Sequence, residues 1–142
     1  MGLVMIIIKV SNITDMEIAQ RGLMPSESVR SAEIEATVDT GATMLALPED
    51  AVQQLGVPEK GRQRVRYADG RTAELSRVMG VHLEIMGRDM TCDALVLPAG
   101  SRALLGVIPL EGLDLVVDPK TQTLRPNPES PDEPMQLLLS VA

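Results

Sequence analysis

Along most of this chain, hydrophobic and polar residues alternate with a period of two, the spacing that is typical of half-buried β-strands. Residues 3–10 form a continuous apolar run rich in β-branched side chains and predict a fully buried strand. Residues 32–39 alternate strictly and predict a half-buried strand. Further on, residues 62–75 and 81–97 predict two β-hairpins, each interrupted by a glycine-containing turn. The pattern therefore indicates a chain made mainly of β-strands.

Two short helical segments and one irregular stretch interrupt the strands. Residues 47–56 predict a helix, because Pro48 suits the first helical position and Gly56 suits the C-terminal cap. A helical turn is predicted at residues 108–111. The polar, mixed stretch 12–32 indicates an irregular excursion rather than a regular element. We therefore expect a closed, barrel-like all-β fold with one or two short helices.

The same pattern predicts one domain followed by a tail. The domain is expected over residues 1–128, with residues 12–32 as a long insertion. The tail, residues 129–142, begins with prolines and acids, which are typical of a linker, and ends in the apolar run 135–141. We expect this apolar end to be a strand that docks elsewhere, with a disordered end as the alternative.

Composition and charge exclude several classes of function. Thirteen basic and twenty acidic residues give a net charge of −7, which argues against a nucleic-acid partner. The apolar run at residues 3–8 is too short to span a bilayer, so we expect a cytoplasmic protein with no membrane partner. The lone cysteine, Cys92, fits a reducing compartment. With it and one histidine, His82, a zinc site has almost no ligands, so we expect no metal and no cofactor. His82 is expected to be solvent-exposed on its strand.

A candidate catalytic motif follows the strand over residues 32–39. It consists of Asp39, Thr40 and Gly41, with Ala42 next in the chain. An acid, a hydroxyl residue and a glycine after an apolar strand form the signature of aspartic proteases. Alone, such a triplet arises by chance in roughly one chain in fifteen of this length. Two further features support it: a hairpin with Ala68-Asp69-Gly70 at its tip, and the apolar-apolar-Gly element Leu104-Leu105-Gly106.

In this order, over roughly residues 3–125, these features resemble the retropepsin-like, or retroviral-type, aspartic proteases. The stretch 105–111, together with the later residues 116–119, is more similar to small prokaryotic members than to viral ones. The resemblance implies that Asp39 supplies a catalytic carboxylate, that Gly41 lets a backbone N–H approach it, and that the Thr40 hydroxyl bonds the partner's loop. The apolar-apolar-Gly element would cross behind this loop.

The chain contains only one Asp-Thr/Ser-Gly triplet, whereas the chemistry needs two carboxyl groups. Two carboxyls about 3 Å apart cannot both ionise, so they share a proton, and one acts as base while the other acts as acid. A pair of catalytic aspartates therefore requires two chains, which predicts a homodimer acting on a peptide or protein substrate. A retropepsin-fold module that dimerises or binds peptides without turnover is the alternative, and an all-β structural domain with a chance triplet is a third.

The resemblance also implies a set of substrate-binding residues on the loop, the first hairpin and the segment before Leu104. These residues are Ala42, Tyr67, Ala68, Asp69, Gly70, Ser101 and Arg102. Tyr67 would reach the substrate or simply be a half-buried strand residue. Arg102 would favour an acidic substrate residue. Arg62, Arg64 and Arg66 are expected on the solvated outer face of the hairpin, where attraction of acidic substrates is the alternative.

The chain also departs from the viral pattern. Viral enzymes carry an acid after the catalytic loop and an arginine after the apolar-apolar-Gly element, and these form an ion pair. Thr43 and Val107 occupy those places here, so this ion pair is absent. We also expect the chain to begin at the family's second strand, without the first strand that viral dimers interleave. We expect residues 135–141 to replace it in the dimer interface, with a tail folded onto its own barrel or into the cleft as the alternative.

Overall fold

The computed structural model describes residues 3–138. Its strands are β1 (Val4–Asn12), β2 (Ser31–Val38), β3 (Leu45–Pro48), β4 (Glu59–Arg66), β5 (Thr72–Ile85), β6 (Arg88–Leu97), β7 (Ala103–Leu105), β8 (Leu115–Asp118) and β9 (Thr123–Pro126). Its helices are α1 (Ile13–Gln20), α2 (Glu49–Leu55) and α3 (Val107–Leu113), with a 3-10 turn at Ser26–Ser28.

Six strands close into a barrel in the order β1-β2-β7-β3-β6-β5, because β1 pairs with β2 on one side and with β5 on the other. The closed ring leaves no exposed strand edge within it. Its interior is aliphatic, since the chain has no Phe and no Trp. The fully buried side chains include Ile8, Val10, Leu47, Leu83 and Leu105. The all-β, barrel-like retropepsin fold predicted from the sequence is confirmed.

The β4–β5 hairpin lies outside this ring, because β4 pairs only with the first half of β5. Its turn is closed by the Tyr67 amide, which donates to the Arg71 carbonyl at 2.8 Å, and by the Gly70 amide, which donates to the Tyr67 carbonyl at 2.9 Å. Gly70 has φ +88°, a left-handed conformation that glycine adopts without strain. The hairpin predicted from the Asp69-Gly70 pair is thus present.

Residues 12–32 are more ordered than predicted, since they contain α1 and the 3-10 turn. The Asn12 side chain caps α1 by accepting from the Asp15 amide at 3.0 Å, and it donates to the Leu55 carbonyl at 2.9 Å. Asp15, the buried residue of the helix, receives hydrogen bonds from the Arg30 guanidinium and amide. The expectation of an irregular excursion was wrong because α1 has no apolar stripe that periodicity could detect.

The other helices fit the prediction with shifted ends. Helix α2 begins at Glu49, because the residues before it pair with β6 as strand β3. It ends at Gly56, whose φ of 66° is the expected C-terminal cap conformation. Helix α3 was expected over residues 108–111 but spans Val107–Leu113, and Asp114 caps it with φ 56°.

The environment of His82 differs from the solvent-exposed position that was predicted for it. His82 is buried rather than solvated, because closure of the barrel pairs it with Ser11 of β1, and its Nε2 lies 2.8 Å from the Asp89 carboxylate.

Residues 135–138 form no strand, and residues 139–141 of the predicted terminal strand lie outside the described residues. None of the helices within residues 3–138 is both long and apolar enough to cross a membrane.

Candidate active site

Asp39 directly follows β2, and backbone hydrogen bonds fix its loop from behind. The Asp39 amide donates to the Leu105 carbonyl of β7 at 3.0 Å. The Val107 amide donates to the Ala42 carbonyl, and the Ile108 amide to the Thr43 carbonyl, both at 2.9 Å. The start of α3 therefore ties down the far side of the loop. The apolar-apolar-Gly element crosses behind the loop, as the resemblance implied.

Two glycines allow this close packing. The Gly41 amide donates to Oδ1 of Asp39 at 2.9 Å, and a Cβ on Gly41 would lie 3.2 Å from the same oxygen. A Cβ on Gly106 would lie 2.5 Å from the Met44 carbonyl oxygen and 2.8 Å from that of Ala42, distances at which backbone must shift. Gly106 is therefore required where β7 meets the loop, and Gly41 lets an N–H orient the carboxylate.

An open cleft of about 900 Å³ separates the Asp39 loop from the β4–β5 hairpin. Asp39, Gly41 and Ala42 line it on the loop side, and Tyr67 and Ala68 line it on the hairpin side. The remaining lining residues are Thr43, Met44, Ala46, Gln63, Arg64, Val65, Arg66, Leu75, Arg77, Asp93, Leu95, Leu97, Leu104 and Ile108. The loop and the predicted face of the hairpin thus converge on one space.

Tyr67 has a defined orientation at the end of the hairpin. The Arg71 guanidinium lies over its ring, 5.4 Å from the centroid, within the range of a cation–π contact. The Asp69 carboxylate in turn holds Arg71, with its Oδ2 2.6 Å from Nε. Asp69 and Gly70 form the turn itself and do not line the cleft. Thr40 is exposed at the top of the loop and also lies outside the cleft lining.

Ser101 and Arg102 do not line the cleft of this chain. Nε of Arg102 lies 3.8 Å from the Glu35 carboxylate, and Nη1 lies 3.9 Å from the Met5 sulfur. Arg102 therefore lies against β1 and β2. A role of these two residues in substrate binding stays a prediction.

A polar cluster on the cleft wall was missed by the sequence analysis. Oδ2 of Asp93 accepts from Nε of Arg77 at 2.8 Å and from Nζ of Lys60 at 3.1 Å. Nη1 of Arg77 also donates to the Gln63 side chain at 2.6 Å. Burial would raise the pKa of Asp93, but the hydrogen bonds from Arg77 and Lys60 outweigh it and hold this pKa below its ordinary value. The signal that was available is an acid within the otherwise apolar second half of β6.

The neighbouring Cys92 offers no thiolate at neutral pH. Burial, together with the charge of Asp93, raises the pKa of its thiol to about 11, so the thiol stays protonated at neutral pH. Among residues 3–138, no three His, Cys, Asp or Glu side chains are grouped as metal ligands would be. Of the two carboxylates that line the cleft, Asp93 is paired with Arg77 and Lys60, whereas Asp39 accepts a hydrogen bond from the Gly41 amide.

Comparison with known proteins agrees with this geometry. The model of the gag-polyprotein putative aspartyl protease family matches residues 27–111. No curated protein matches the chain. The matched span contains the Asp39 loop, the β4–β5 hairpin, the wall of the cleft and Gly106. Since it covers more than half of the chain, the protein belongs to the gag-polyprotein putative aspartyl protease family, which is retropepsin-like.

Proposed function

We propose that this protein is an aspartic endopeptidase whose active site forms between two identical chains, each supplying Asp39. The observation that carries the proposal is the Asp39 carboxylate on the cleft lining, which accepts from the Gly41 amide at 2.9 Å on a loop hydrogen-bonded to β7. One chain offers one such aspartate, because the sequence has a single Asp-Thr-Gly triplet. The second carboxyl comes from the partner.

The two carboxyl groups share one proton at a separation of about 3 Å, because both cannot ionise there. The ionised Asp39 removes a proton from a water molecule as that water attacks the carbonyl carbon of the substrate. The protonated one transfers its proton to the carbonyl oxygen, so that a tetrahedral carbon with two hydroxyl groups forms. The carboxyl that took the proton of the water then gives it to the amide nitrogen as the carbon–nitrogen bond breaks, and the other carboxylate recovers a proton from one of the hydroxyl groups. The exposed Thr40 hydroxyl bonds the partner's loop and sets the separation of the carboxyls.

The cleft suits an extended peptide. Strand β4 is an edge strand, so its free backbone groups are available to pair with a substrate strand. The floor is mainly aliphatic and would take apolar side chains of the substrate. Its apolar residues include Leu75, Leu95, Leu97, Leu104 and Ile108.

Replacing the carboxylate tests this proposal. Asp39→Asn is expected to lower peptide cleavage at least a hundredfold, because the pair loses its base, while the fold is kept. Asp132→Asn is the matched control, since it makes the same chemical change at an exposed position in the tail. Cleavage of a diverse peptide mixture, followed by mass spectrometry, measures both variants.

Two results would contradict the proposal. Cleavage by Asp39→Asn at the wild-type rate would remove Asp39 from the mechanism. Binding of peptides by the folded wild-type protein without any cleavage would favour the alternative, a module that binds peptides but does not hydrolyse them.

A further inference from the structure

We propose that Arg77 and Asp93 on the cleft wall, together with Lys60, which pairs with Asp93 from outside the lining, form a subsite that selects an acidic side chain of the substrate. This inference rests on the proposed function in taking a peptide as the ligand. It concerns recognition rather than hydrolysis, so binding can test it without turnover.

The charge of the cleft supports a preference for acids. The charged side chains on this wall are those of Arg77 and Asp93, and Lys60 adds a second cation from outside the lining residues. Asp93 is already paired with two cations, Arg77 and Lys60. Since its pKa is held below the ordinary value, Asp93 is ionised at neutral pH, and the cluster carries one uncompensated positive charge. A carboxylate from a ligand would neutralise it.

Both cations keep hydrogen-bond donors for such a carboxylate. Arg77 uses Nε for Asp93 and Nη1 for Gln63, and the described residues offer its Nη2 no hydrogen-bond acceptor. The Lys60 ammonium has three N–H donors and gives one to Asp93. The Arg77 side chain is 32% exposed and that of Lys60 is 52% exposed, so both reach solvent.

The arginine is also fixed in place before any ligand arrives. Gln63 of β4 and Asp93 of β6 hold its guanidinium from two sides. Arg77 itself lies on β5 opposite Leu95, and Leu75 and Leu95 line the cleft beside it. A fixed, planar donor fork binds a carboxylate with little loss of side-chain entropy. Apolar neighbours strengthen such a contact by lowering the local dielectric.

Arg62 provides a matched control on the other face of the same hairpin. It pairs with Glu74, with Nε 3.5 Å from the carboxylate, and it does not line the cleft. Replacing Arg62 with glutamine changes the net charge of the protein by the same amount as replacing Arg77. A difference between the two arginines therefore reports position rather than net charge.

The test measures peptide binding to the Asp39→Asn variant, which does not cleave its ligand. Labelled ten-residue peptides, identical except for Glu or Gln at one position in turn, are titrated at low salt by fluorescence anisotropy. At one position the Glu peptide is expected to bind about tenfold tighter than its Gln counterpart, as a charge-assisted hydrogen bond provides. Arg77→Gln in this background should abolish that ratio, whereas Arg62→Gln should leave it unchanged.

The ratio of the Glu-peptide and Gln-peptide affinities within one variant separates recognition from folding, because a damaged fold weakens the binding of both peptides alike. Arg77→Lys should keep part of the preference, because it keeps the positive charge but loses the planar donor fork. Equal affinities at every position, no binding of either peptide, or a preference that survives Arg77→Gln would overturn the inference. Cleavage of the Gln peptides by the wild-type protein would then still support the protease function. Selective binding of Glu peptides without wild-type cleavage would overturn the protease function alone.

Discussion

At the scale of single residues, Gly41 and Gly106 determine how the Asp39 carboxylate is held. Gly41 brings an N–H within 2.9 Å of the carboxylate, and Gly106 lets the end of β7 pass directly behind the loop. Neither glycine has the positive φ that usually explains a required glycine. At Gly106 a Cβ would overlap backbone atoms of the loop, and at Gly41 it would press on the Asp39 carboxylate oxygen, 3.2 Å away.

Gly106→Ala is therefore expected to destabilise the fold by about 3 kcal/mol, since the new methyl group must displace backbone atoms of the loop. Urea unfolding measures this loss, and cleavage activity should fall with it. Gly87→Ala is the control. Gly87 has φ +77° and no atom within 4 Å of its Cβ position, so only left-handed strain of about 1 kcal/mol is expected. Equal stability losses in the two variants would contradict the steric account.

Resemblance to a known motif predicted Asp39, Thr40, Gly41 and Gly106, because these residues are recognisable in the linear sequence. Alternation placed Tyr67 on the cleft side of its hairpin. It failed for His82, since a strand within a closed barrel can be covered on the side that alternation assigns to solvent. It also missed Asp93, whose partners Arg77 and Lys60 are brought to it by strand pairing between distant segments.

At the scale of elements, turn and cap residues in the sequence predicted the hairpin and the helix whose ends they form. The Asp69-Gly70 turn defined the β4–β5 hairpin, and Gly56 defined the end of α2. Helix α1 was missed because it depends on Asn12 and Asp15, whose partners are Leu55 and Arg30. Polar contacts between distant residues leave no periodic pattern in the sequence.

The segment after β9 is held against the barrel by hydrogen bonds to one carboxylate, that of Asp114. Asp114 accepts hydrogen bonds from the Ser130 hydroxyl, from the Met135 amide at 2.9 Å and from the Asn127 side chain at 3.0 Å. These bonds, that of Ser130 first, lower the pKa of Asp114. A lowered pKa in the folded state stabilises the folded form above the unfolded-state pKa of about 3.9. That stabilisation is lost as the pH falls further, through the folded-state pKa.

Acidification below about pH 4 is therefore expected to release the tail from the barrel. Amide hydrogen exchange at Met135 should accelerate there, before the barrel unfolds. Asp114→Asn should accelerate it at neutral pH, and asparagine also tolerates the φ of 56° at this position. Asp118→Asn is the control, since Asp118 also has a lowered pKa but bonds only within the β8–β9 hairpin. Unchanged exchange in Asp114→Asn would show that the anchor lies elsewhere.

At the scale of the whole molecule, the barrel is complete but the proposed active site is only half present. The apolar side chains beyond the Asp114 anchor are exposed, with Leu137 at 86% and Leu138 at 87%. Burial of such surface is worth about 25 cal/mol per Å², so this end is suited to an interface. That residues 135–141 pair with the partner chain stays a prediction. The sequence could predict the number of chains only through chemistry, because one aspartate cannot form a pair.

Mixing active and inactive chains tests the shared active site most directly. Wild-type and Asp39→Asn chains are unfolded together in equal amounts and refolded. The cleavage rate of this mixture is compared with that of a refolded sample that has the same total chain concentration but contains only wild-type chains. If each site needs Asp39 from both chains, random pairing should leave about a quarter of the activity, because only wild-type pairs are complete. If each chain works alone, about half of the activity should remain. A value of half or more would contradict the account.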